Sequence, residues 1–182
     1  HSSNGPGRTH CRSKGLMMIE QLTYKTEPMP HRARVWVYKA SRPLNESEME
    51  FCIKHLETFI GEWTSHGASM AAGFTIIEDR FLVLMADEDQ AKASGCSIDS
   101  SVHFLQALGK ELNIDFFDRM HVVLRVGDEV KEVHFNHIPT LLAQGTITAE
   151  TLVYDTLVAN KADFDSRFEA PLRATWLSRY LN

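Results

Sequence analysis

Apolar residues along this chain recur at two spacings, and the switch between them marks out most of the elements. Arg34-Val35-Trp36-Val37-Tyr38-Lys39 is dense in β-branched and aromatic residues, which suit a pleated strand, and Ser41-Arg42-Pro43 ends it. Asn45 predicts a helix start, because Glu48 three residues on can complete a capping box. Met49, Cys52, Ile53, Leu56, Phe59, Ile60 and Trp63 then recur at three- and four-residue steps, which is one helical face. His66-Gly67 terminates that helix. Two strands follow, Ala71 to Glu78 and Phe81 to Ala86, joined tightly at Asp79-Arg80. Asp87-Glu88-Asp89 stops the second, and a polar loop of small residues leads to Gly95-Cys96. A helix is predicted from about Asp99 to Leu112, with Val102, Leu105, Leu108 and Leu112 on one side and Asn113 as its stop.

His121 to Val126 and Val130 to Phe135 flank Gly127-Asp128, a glycine-led pair suited to a type II′ hairpin. A short helix is expected over Ile138 to Ala143, with Pro139 in its first turn and Gly145 just past its end. Thr151 to Val158 reads as another strand. Asn160 caps a last helical stretch that Pro171 breaks in two, anchored by Trp176, Leu177 and Tyr180. The fold class is α+β. Its first six elements run β-α-β-β-α-β, the split βαβ or ferredoxin-like plan, with an added hairpin strand and a C-terminal helical tail. That plan hosts many functions, so it assigns none.

Length and composition fix the setting. The chain has 182 residues and is 43% hydrophobic, enough for one domain with its own core. Residues His1 to Met17 are rich in Ser, Gly, His and Arg without any acid or apolar period. They read as a disordered tag or upstream read-through before a single α+β domain over 18–182, and not as a secretory signal. Without Arg8, Arg12 and Lys14, 16 basic residues face 24 acidic ones, a net of −8. Such a charge gives no long-range attraction for nucleic acid or an anionic membrane surface. No stretch reaches the roughly 20 apolar residues of a spanning helix. Apart from Cys11 in the tail, Cys52 and Cys96 make no disulfide framework, so a reducing, cytoplasmic setting is expected.

The chemistry concentrates at Gly95-Cys96-Ser97-Ile98-Asp99-Ser100-Ser101, where a thiol, three hydroxyls and a carboxylate open a helix. Amides at a helix start lack partners and attract anions, and the same field lowers the pKa of a thiol. Three readings follow. Ser97 or Asp99 is simply an N-cap. Alternatively, Gly95, Cys96, Ser97, Asp99, Ser100 and Ser101 bind a small anion or a partner's carboxylate. Or Cys96 is the catalytic thiol of a cysteine-dependent enzyme or redox sensor. Against thioredoxin and phosphatase chemistry, there is no Cys-x-x-Cys, and Val102 stands where a Cys-x5-Arg cradle needs arginine.

Other clusters carry simpler readings. Asp87-Glu88-Asp89 lacks the spacing of a calcium loop and reads as a solvated strand end. His121, His134 and His137 approach one another if the hairpin register holds, yet read as surface histidines rather than a zinc site. Asp118 and Arg119 read as a salt bridge at the helix-to-strand corner, Cys52 as a small apolar residue, and Trp36, Tyr38, Trp63 and Phe74 as core aromatics. No metal or cofactor is expected.

Over Val35 to Tyr180 the chain resembles a family of uncharacterised bacterial proteins often labelled "ABC transporter ATPase". The resemblance rests on Gly95-Cys96-Ser97-Ile98-Asp99, Phe117-Asp118-Arg119 and Thr151-Leu152-Val153-Tyr154-Asp155, with Pro171 and Trp176. It brings no catalytic residue. The ATPase label needs Gly-x4-Gly-Lys-Ser/Thr around phosphates, and no such loop occurs here. Leu141 to Val153 is also similar to small modules that bind peptides through a turn-rich sheet edge. The expectation is a ligand- or partner-binding module, with pairing of two chains through a sheet edge left open.

Overall fold

The computed structural model describes residues 29–65, 71–87 and 95–182, with the backbone alone at 64–65 and 95–98. The tag or read-through expected over 1–17, with Glu88 and Asp89, lies outside the described residues. β1 spans Arg34–Lys39 and α1 Glu46–Ser65. Between them the expected capping box is complete. Asn45 Oδ1 accepts the Glu48 N–H at 2.9 Å, and Glu48 Oε1 accepts the Asn45 N–H at 3.0 Å. Arg42 forks onto the same carboxylate at 2.8 and 2.7 Å. The Arg42 hydrogen bonds first, and the Asn45 amide second, pull Glu48 down from 4.5 to about 2. A depressed carboxylate stabilises the fold above its unfolded value and loses that share as pH falls through the folded one. Glu48→Gln keeps an acceptor for the Asn45 amide, so a flatter loss of stability between pH 4.5 and 2 is expected in acid denaturation.

β2 (Ala71–Ile77) and β3 (Phe81–Asp87) form a three-stranded antiparallel sheet with β1, in the order β1-β3-β2. β3 thus lies between two strands joined through α1, the split βαβ arrangement. α2 spans Gly95–Leu112. It ends as a Schellman motif: Asn113 takes φ +54°, and the Ile114 N–H donates to Gly109 O at 2.9 Å. One face of the sheet (Phe74, Ile76, Leu82, Leu84) packs under Leu56, Phe59, Ile60 and Trp63 of α1 and Leu105 and Leu108 of α2. Cys52 is fully buried there, and burial pushes its thiol up to about 12.

The opposite face is also covered, which explains why β3 reads as an unbroken apolar run. Val35, Phe81, Val83 and Met85 meet Val123 and Tyr154 of a second sheet, with Val158 and Phe168 from the chain beside it. That sheet has the order β5-β4-β6-β7, from β4 (His121–Val126), β5 (Glu129–His134), β6 (Leu152–Tyr154) and β7 (Glu169–Pro171). Behind it, Val122, Leu124 and Val153 pack on Ile138, Ile147, Leu172 and Leu177. These come from α3 (Ile138–Ala143), the loop after it and the C-terminal 3-10 turns. The layers therefore run helices, sheet, sheet, helical tail.

The chain is an α+β protein with two antiparallel sheets. A ferredoxin-like sheet would set β4 beside β1. Among the described residues β1 pairs with that segment through a single isolated bridge, Lys39 with Phe117. The rest of its edge meets the chain before α4 (Lys161–Arg167): Val35 N–H donates to Ala159 O at 3.0 Å, and Lys161 N–H to Ala33 O at 2.9 Å. β4 has apolar residues on both faces, one covered by the first sheet and the other by α3 and the C-terminal turns. The hairpin prediction matches closely. Gly127 alone of its two loop residues has positive φ, as a type II′ turn requires. The strand expected over Thr151 to Val158 shrinks to three residues.

Candidate functional site

The first four amides of a helix have no acceptor within it. Because α2 starts at Gly95, those amides belong to residues 95–98, one turn upstream of the start expected at Asp99. Ser97 and Asp99 lie inside the helix, which corrects the reading of either as its N-cap. Ser101 is 1% exposed, with its hydroxyl 3.2 Å from that of Tyr38, so it faces the core. Asp99 and Ser100 are exposed. The side chains at 95–98, the thiol of Cys96 included, lie outside the described residues.

Connectivity brings further groups to this corner. β3 runs antiparallel to β1, and α2 leaves the end of β3, so it travels alongside β1 in the same sense. Ser101 sits against Tyr38. Two strand residues back along β1 is about 6.6 Å, or roughly four helix residues, which sets Trp36 near the level of residue 97. Trp63, at the end of α1, packs against Trp36 with ring centres 5.6 Å apart and against Phe59 at 5.3 Å. Phe59 stacks on Phe104 of α2 at 4.5 Å. Trp63 is 6% exposed, and its indole N–H is buried without a hydrogen-bond acceptor among the described residues. A buried donor left unpaired costs about 1–3 kcal/mol, so such groups call for a reason.

A second polar cluster lies where the two sheets meet. Lys39 shares its β1 face with Val35 and Val37, and its ammonium is buried between layers. It donates to Asp118 Oδ2 at 2.8 Å and to Ala40 O at 3.0 Å, and it forms an ion pair with Glu132. Arg80 Nη1 lies 3.6 Å from the other oxygen of Glu132. Burial lowers the Lys39 pKa, and Asp118 offsets this only in part. Burial acts to raise Asp118, but the bonds from Lys39 and the Met120 amide outweigh it and hold the carboxyl below its ordinary range. Asp118 therefore pairs with Lys39 and His121, which corrects the salt bridge expected with the exposed Arg119.

The hairpin register sets His121 opposite His134, with ring centres 5.4 Å apart and His137 6.1 Å further on. His134 Nδ1 accepts the Asn136 N–H at 3.1 Å, which leaves the neutral ring its proton on the other nitrogen. That nitrogen then donates and cannot ligate. Among the described residues no set of three His, Cys, Asp or Glu is arranged to hold a metal ion. Asp87 lies 3.5 Å from Arg32.

Sequence reasoning brought out the start of α2 but missed Lys39 and the indole N–H. The signal for Lys39 is visible: a lysine in register with Val35 and Val37 on an inward strand face. Trp63 was read only as core, and nothing in its spacing reveals an unmatched donor. The chain matches no protein-family model, no curated protein and no solved structure. Among the described residues no helix is long and apolar enough to cross a membrane.

Proposed function

We propose that this protein is a binding module that takes an oxyanion at the start of α2, presented by a small molecule or by a partner's carboxylate. The observation that carries the reading is the buried Trp63 indole N–H, without an acceptor among the described residues, at the end of the sheet where α2 opens. An oxyanion there would accept from the first-turn amides of α2, gain from the helix dipole and satisfy the indole. Asp99 and Ser100 border the site on its exposed side. Asp99 would disfavour a highly charged anion, so a singly charged carboxylate suits the place better than a polyphosphate.

The test is a melting-temperature series with acetate, citrate, phosphate, sulfate and nucleotides. A ligand at ten times its dissociation constant adds about 1.4 kcal/mol, or roughly 3–6 °C for a chain of this size. Trp63→Phe keeps the aromatic packing and removes the donor. It should weaken binding about tenfold, as expected for losing one hydrogen bond to a charged group. No shift with any anion, or equal binding by Trp63→Phe, overturns the reading.

A further inference from the structure

A cation stands beside the start of α2. Arg34, Trp36 and Tyr38 alternate onto the helix-side face of β1, where Trp36 and Tyr38 pack against the core beneath α1 and α2. Arg34 is half-buried, and its guanidinium carbon lies 4.9 Å from the centre of the Trp36 ring. Trp36 in turn meets Trp63 at 5.6 Å, so the guanidinium, the ring and the unmatched indole donor form one row. With Trp36 level with residue 97, Arg34 lies about 6.6 Å further back along β1, and Gly95 about 3 Å. The Arg34 backbone is then roughly 3.6 Å beyond the first residue of α2, on the side towards which the first-turn amides point. Its side chain folds over Trp36, towards those amides.

The acids at this end of the described chain are Glu62, Asp87 and Asp99. Glu62 and Asp99 are exposed. Arg34 pairs with Ala86, so Asp87 alternates onto the other face of the sheet, 3.5 Å from Arg32. A guanidinium stays charged and carries five N–H donors in a flat fork, so it can serve more than one acceptor. Stacking on an aromatic ring holds the plane of that fork. Two parallel N–H bonds match the two oxygens of a carboxylate, which has about four lone-pair sites in all. The remaining two suit a first-turn amide and the Trp63 indole. We propose that Arg34 is the specificity-determining residue of the α2 site and that the ligand is a carboxylate gripped by both prongs of its guanidinium. This rests on the reading of that corner as an oxyanion site.

Acetate and neutral acetamide, of nearly equal shape, are titrated into the full chain and followed at the Trp63 indole resonance. Acetamide should bind at least about tenfold more weakly than acetate. Arg34→Lys keeps the charge and loses the fork, so it should melt near the parent and bind acetate about tenfold more weakly. In Arg34→Gln the preference for acetate over acetamide should largely disappear, which general loosening of the fold would not produce. N-acetyl-trialanine forms a second arm. Binding of this peptide acid, but not of its amide, identifies a chain terminus as the source of the carboxylate, and binding of acetate alone a small molecule. Arg34→Lys binding acetate as tightly as the parent overturns the role of Arg34 and leaves the oxyanion site standing. Equal affinity of the parent for acetate and acetamide overturns the carboxylate assignment. A Trp63 resonance that acetate leaves unmoved in the parent overturns both readings.

Discussion

Lys39→Met should cost the protein about 3–5 kcal/mol, the range for breaking a buried ion pair from one side. Methionine fills much the same volume, so lost packing contributes little. The loss comes from Asp118 and Glu132, whose side chains are 9% and 17% exposed and would face each other without the ammonium between them. The pH dependence gives the cause away. In the natural protein Asp118 is held below 3.8, so its share of stability is present above that value and falls away in acid. In the variant the two carboxylates repel, their pKa values rise, and protonating one relieves the strain. Stability of Lys39→Met should therefore increase as pH drops from 7 towards 5, a window in which Asp118 leaves the parent unchanged. Adding Asp118→Asn should recover part of the loss. Urea denaturation at several pH values measures all of this, and a variant that tracks the parent's pH profile would contradict the role given to the Lys39 ion pairs.

Gly109→Ala should be comparably damaging, through sterics rather than charge. A Cβ at this position would stand 2.3 Å from Ile114 O, far inside contact distance. The obstacle is backbone and cannot rotate away. It is also pinned, since the Ile114 amide donates to Gly109 O, and Ile114 and Phe116 are buried beneath α2. Relief requires opening the Schellman turn and shifting the segment that delivers Asp118 to Lys39. A loss of roughly 3 kcal/mol, or about 6–12 °C in melting temperature, is expected. Gly61 in α1 provides the control, because a Cβ there meets nothing within 4 Å. Gly61→Ala should be neutral or slightly stabilising, as alanine favours a helix. Equal melting temperatures for Gly109→Ala and the parent would contradict the close approach.

What the sequence revealed follows the range of the interactions involved. Asn45 with Glu48, Asn113, Gly127, Gly145 and Asn160 act within a few residues, and each was legible from its neighbours. Gly145, for instance, takes φ +72° as its N–H donates to Leu142 O at 3.1 Å. The destination of β4 was not legible. Whether Val122 and Val123 cover one sheet or bridge two depends on Tyr154, Phe168 and Leu172, tens of residues later. β7 was missed because Pro171 reads locally as a breaker, although at the end of a three-residue strand it only closes the pairing with Leu152. At the candidate site, residue types at 95–101 pointed to the corner, but the one-turn shift in the helix start changed which amides are open. The donor on Trp63 depends on what fails to face it, and that exists only in three dimensions.

The proposed function rests on an indole hydrogen for which the described residues supply no acceptor. The most direct measurement follows the Trp63 side-chain N–H by nitrogen-15 NMR, assigned with Trp63→Phe, while acetate or citrate is added. A saturable downfield shift of that resonance, with those of Trp36 and Trp176 nearly still, is the result that hydrogen bonding to a bound oxyanion produces. A Trp63 resonance that stays put at saturating ligand, or that already resonates as a strongly bonded indole before any is added, would contradict it.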